Sequence, residues 1–98
     1  MSLQLFQELG DKFSITQGLE GMAGMFGAQM QSERAARLFG AAEGLRENIG
    51  APLSPSDQVF YEPILDMTRK LLGDELFKTT WQAGRTLSLE QALALALS

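Results

Sequence analysis

The chain has 98 residues, 45% of them apolar, and a net charge of −4 with neither cysteine nor histidine. That length makes one modest domain or a piece of a repeat array, and the two missing residue types exclude disulfides, thiol nucleophiles, the usual zinc sites and the side chain that titrates near neutral pH. The eight basic residues are scattered, only Arg69 and Lys70 being adjacent, so no stripe is available for nucleic-acid phosphates.

No apolar run reaches the roughly 18 residues that span a bilayer. The N-terminus also lacks the charged and apolar regions of a signal peptide, so a cytoplasmic location is expected. Met1-Ser2-Leu3 reads as a cloning-derived start, which makes an excised fragment the expectation.

Residues 3–9 read as a short apolar helix closed by Gly10-Asp11. A long helix is predicted over 12–29, with Ile15, Leu19, Met22 and Phe26 at helical spacing. Gly18, Gly21, Gly24 and Gly27 weaken it intrinsically, so neighbouring elements must hold it. Ser32 is a suitable cap for a second helix whose apolar positions are Ala35, Leu38, Ala42, Leu45 and Ile49. Glu33 and Arg37 lie on its solvated side. Small residues recur once per turn at Ala36, Gly40 and Gly44. A mid-helix glycine costs about 1 kcal/mol, and close approach of another helix would compensate.

Gly50-Ala51-Pro52 ends that helix, and Ser54-Pro55 opens the next with serine as cap and proline in the first turn. Phe60, Ile64, Met67 and Leu71 form its expected buried stripe. Pro63 removes one backbone bond and crowds the carbonyl of Val59, which predicts a kink rather than a break. Asp74 is the predicted cap of a shorter helix containing Leu76, Phe77 and Trp81 and ending near Gly84. In the last segment LALALAL alternates like a strand. Ser88 and Gln91, however, make a capping box, and no other strand is predicted for it to pair with. Helix is the reading, and the fold class is all-α.

Two carboxylate pairs, Glu43 with Glu47 and Glu62 with Asp66, sit one turn apart. That spacing can serve acid–base chemistry or a hard cation. Without a histidine or a ligand motif, and with Lys70 one turn from Asp66, solvated helix faces are expected. Asp74-Glu75 suits a helix start. Met22, Met25, Met30 and Phe26 supply either core filling or an adaptable binding face; Met25 and Met30 are the candidates for a partner surface, and Tyr61 beside Pro63 is a third. Phe77 and Trp81, with Leu76, are expected as core anchors. No catalytic, metal or cofactor-binding residues are expected, and no phosphate-binding glycine loop with lysine is present.

The two helices over 12–48 form an expected antiparallel pair. Leu19, Met22, Ala23 and Phe26, followed by Ala35, Phe39 and Ala42, resemble the large/small pattern of a tetratricopeptide repeat. Two positions depart from it: Met30 stands where glycine usually makes the turn, and Glu47 where proline usually closes the repeat. AARLFGAAEGLR, GAPLSP and LLGDELFKTTWQAGRTLSLEQALALAL, within 33–97, are similar to the C-terminal end of large bacterial regulators of LuxR or AfsR type, in which an ATPase domain precedes tetratricopeptide-like repeats. Repeat-bearing adenylate cyclases and protein kinases end similarly.

The resemblance implies a single helical-repeat domain over 1–98, a fragment of a superhelix. Residues 1–10 would be the tail of a preceding repeat helix, 11–49 the helix pair and 54–98 the capping helices. It implies a non-catalytic module for signal transduction that meets a protein partner or other domains of its parent chain. The alternatives are the same module from a repeat-bearing adenylate cyclase or protein kinase, or a small stand-alone helical ligand-binding protein. Leu5, Phe6 and Leu9, beside Phe13, suggest a homodimer through the N-terminal helices.

Overall fold

The computed structural model describes the backbone of residues 3–97 and the side chains of residues 12–97. Among the described residues there are five helices and no strands: α1 (Leu3–Ala28), α2 (Ser32–Ile49), α3 (Pro55–Leu72), α4 (Asp74–Arg85) and α5 (Leu89–Leu97). The all-α class follows directly. One expectation is corrected at the start, because α1 runs through Gly10 and Asp11 without a break. A single glycine costs a helix about 1 kcal/mol, and no proline accompanies this one. The division of 1–10 from the following pair therefore has no turn to mark it.

Two of the turns are Schellman closures. After α1 the amide of Gln31 donates to Phe26 O at 2.8 Å and that of Met30 to Gly27 O at 3.1 Å. Met30 takes the left-handed conformation, φ 64°, so methionine occupies the place where the repeat pattern has glycine. After α2 the same geometry uses Gly50 at φ 66°, with Ala51 N donating to Arg46 O. Caps at the other helix starts are mixed. Ser54 Oγ accepts from Asp57 N at 3.3 Å, and Ser88 and Gln91 close the expected capping box at 3.1 and 2.9 Å. Ser32 and Asp74 are not caps. Gln31 and Gly73 hold those positions, and neither supplies a side-chain bond.

α2 is the central element and packs against all four others. Its glycines explain how. A Cβ on Gly40 would collide with the backbone carbonyl of Trp81, and one on Gly84 with that of Arg37; at Gly44 the Arg85 oxygen would lie 2.9 Å away. The stripe of small residues on α2 thus seats α4 at backbone contact, with Gly84 answering from the other side. On α1, Gly24 and Gly27 receive Tyr61, Ile64 and Thr68 of α3, while Gly18 and Gly21 face open space.

The core joins Leu19, Ala23 and Phe26 of α1, Ala35, Leu38, Phe39 and Ala41 of α2, and Ala92 and Ala96 of α5. Ala42 and Phe77 are buried as well, while Met22 and Trp81 are half-buried against this cluster. Leu76 is exposed, so Phe77 and Trp81 anchor α4 without it.

α3 continues across Pro63 as one helix, but its buried stripe is not the expected one. Tyr61, Ile64, Leu65, Thr68 and Leu72 face inward. Phe60, Met67 and Leu71 are exposed, with Val59 beside them. Apolar residues cover a sector of α3 wider than one contact needs, and the contact is fixed by what opposes it. The gaps at Gly24 and Gly27 accept Tyr61, Ile64 and Thr68, and Phe39 meets the Tyr61 ring edge-on at 5.5 Å.

Candidate functional site

α1 and α2 bring together a buried ion pair. Arg46, in the last turn of α2, reaches Glu20 in the middle of α1. Its Nε donates to Oε2 at 2.8 Å and its Nη2 to Oε1 at 2.5 Å. Nη1 donates to Ala51 O at 3.1 Å, and the Phe13 ring centroid lies 5.3 Å from the guanidinium carbon. Each side chain is only 6% exposed. Burying two charges costs several kcal/mol per ion, and a forked pair with a further carbonyl acceptor offsets it. The hydrogen bond to Glu20 raises the Arg46 pKa, and burial opposes it.

This pair lines a cleft of about 530 Å³ that is partly open to solvent and is formed by α1 to α4 and the loop after α2. Phe39, Tyr61, Leu65 and Trp81 supply apolar and aromatic wall, Pro52 and Leu53 the loop side, and Glu43 and Glu47 a carboxylate edge. Those two glutamates are more than a solvated face: Arg85 of α4 pairs with Glu43 through Nη1 and with Glu47 through Nη2. The bond to Glu47 is the main cause of the raised Arg85 pKa. Tyr61 is half-buried in the wall, and burial, then the Glu20 and Asp57 carboxylates, push its phenol up.

The three partner candidates are therefore not brought together. Tyr61 lines the cavity, while Met25 and Met30 are exposed and do not. Glu62 and Asp66 lie exposed on α3, and Glu33 and Arg37 pair at 3.4 Å on the surface. Glu20 carries no sequence signal: it is one acidic residue in an amphipathic helix, and its partner is 26 positions away. Among the described residues no group of three or more His, Cys, Asp or Glu side chains is placed to hold a metal ion, and no helix is long and apolar enough to cross a membrane.

The chain is similar over 94 residues, 96% of its length, to proteins of Mycobacterium bovis and of two strains of Mycobacterium tuberculosis that carry the provisional name of HTH-type transcriptional regulator. Each is 29% identical to it. The chain spans about a tenth of the length of these curated relatives. No protein-family model matches it, and no solved structure gives a significant match.

Proposed function

We propose that this chain is a non-catalytic, tetratricopeptide-like interaction module of a large bacterial transcriptional regulator of LuxR or AfsR type, meeting other domains of its parent chain or a protein partner in the cytoplasm. The observation that carries the reading is the apolar face of α3. Val59 and Phe60 are each 68% exposed, and Met67 and Leu71 extend the same face. A contiguous apolar face left in solvent marks an interface more often than chance exposure does. The α1–α2 pair, with its glycine-seated third neighbour α4, suits a repeat that buries its faces against adjacent repeats. The similarity to about a tenth of much longer proteins named as regulators supports a regulatory setting. The scattered basic residues and negative charge support the reading that DNA contact is not the role of this module.

Hydrogen exchange on this chain alone, and on the longer product of its reading frame, tests the proposal. Amides of α3 around Phe60 and Met67 are expected to gain protection in the longer protein. Unchanged protection, a reading frame confined to these residues, or ATP turnover by the chain itself overturns it. So does DNA retention at about 150 mM salt, where non-specific phosphate contacts are already weakened.

A further inference from the structure

We propose that the cavity between α1 and α4 is a binding site for a small hydrophobic organic cation: a quaternary or protonated amine on an aromatic or aliphatic body. The site stands apart from the partner face of α3 and does not rest on the interaction-module reading. Its volume of about 530 Å³ lies within the range of roughly 300–1,000 Å³ that holds small molecules.

Charge and wall chemistry select the occupant. Phe39, Tyr61 and Trp81 line one space, and aromatic rings attract ammonium groups that settle over their faces. Three carboxylates, Glu20, Glu43 and Glu47, line the cavity with one guanidinium, Arg46, and Arg85 pairs with two of them from α4, which leaves one carboxylate in excess. Arg46 is already spent on Glu20 and Ala51 O. An anion would have to draw it away and leave Glu20 buried without a partner, which is the costly way to break such a pair. A cation leaves that buried pair intact and competes only with Arg85 for Glu43 and Glu47. Glu43 and Glu47 are exposed, and their partner Arg85 keeps a quarter of its side chain in solvent. The ligand charge can therefore share these carboxylates while Arg85 relaxes outward, and exposed pairs of that kind are worth little. The body of the ligand then rests on Leu53, Leu65 and the rings.

Trp81 is the sole tryptophan and lies in the wall, so its emission reports occupancy directly. The probes are benzyltrimethylammonium, its neutral carbon isostere and benzenesulfonate, titrated with free tryptophan amide as the collisional control. A saturable change is expected for the cation, at an affinity at least about tenfold above the neutral isostere, a gap of about 1.4 kcal/mol; none is expected for the sulfonate. Glu43→Gln with Glu47→Gln should remove most of the cation's advantage over the neutral probe and leave the part supplied by the rings. Leu53→Tyr, on the loop, should block both by bulk while circular dichroism stays helical and Trp81 remains the sole tryptophan, and it decides the matter if the glutamine variant unfolds. Quenching no different from tryptophan amide, equal affinity for the neutral probe, preference for the sulfonate, or cation binding unchanged in a folded variant overturns the proposal.

Discussion

Arg46 and Glu20 show how far one contact can constrain this chain. Both side chains are almost fully withdrawn from water and satisfy one another through a fork. Removing either alone strands the other, so Glu20→Gln or Arg46→Met should each cost about 3–5 kcal/mol. Replacing both by Glu20→Leu with Arg46→Met should cost far less than the sum, because no charge is left buried. A urea-unfolding double-mutant cycle measures the coupling, and additive losses would show that the pair is not the unit. Tyr61 makes a second prediction. Its phenol is held above the ordinary value by burial and by the carboxylates of Glu20 and Asp57, so the native state keeps the proton after the unfolded chain has lost it. The contribution is complete below about pH 10, the unfolded value, and is lost as pH rises from there through the folded pKa. Tyr61 is the only tyrosine, so phenolate absorbance follows it alone. It should titrate later than a model phenol, and Tyr61→Phe should flatten the alkaline fall in stability.

At the scale of helices, glycine has two opposite roles in the same protein. On α2 and α4 it sets the interhelical distance, since Gly40 and Gly84 each lie against a backbone carbonyl of the other helix. Gly40→Ala or Gly84→Ala should destabilise by about 3 kcal/mol or more, at the upper end of overpacking costs, because the obstacle is backbone and not a side chain that can turn. On α1, Gly18 and Gly21 face nothing within 4 Å. Alanine there should stabilise by roughly 0.5–1 kcal/mol apiece through helix propensity. Thermal denaturation of the four variants checks both signs at once. α3 makes the complementary point: its apolar sector is read correctly as apolar, yet half of it faces solvent because the gaps at Gly24 and Gly27 and the Phe39 ring receive the side bearing Tyr61, Ile64 and Thr68.

For the molecule as a whole the open question is what covers its apolar surface. The sequence places Leu5, Phe6 and Leu9 together at the start of α1, and their side chains lie outside the described residues. Phe13 in the following turn is exposed. We expect the isolated chain to dimerise through this end of α1. Sedimentation of the chain and of a Leu5→Glu, Leu9→Glu variant decides it: a monomer before substitution, or a dimer indifferent to it, sinks the expectation. Should the dimer form through α3 instead, Phe60→Ser would dissociate it and the glutamates would not, which separates the two faces.

The all-α class, four of the five helices to within a few residues and the capping box at Ser88 were legible in the sequence. Each depends on residues three or four apart, whose interaction the helix itself dictates. Met30 was recognisable as a departure from glycine, though only the chain path shows that it takes up the left-handed turn. What the sequence could not supply was which distant side chains meet. The Glu20–Arg46 fork spans 26 residues, the Arg85 clamp on Glu43 and Glu47 spans 42 and 38, and the rotation of α3 depends on gaps in another helix. Helical periodicity fixes which residues share a face. Which face turns inward depends on the partner that fills it, and that was decided only when α1 and α2 met α3 and α4.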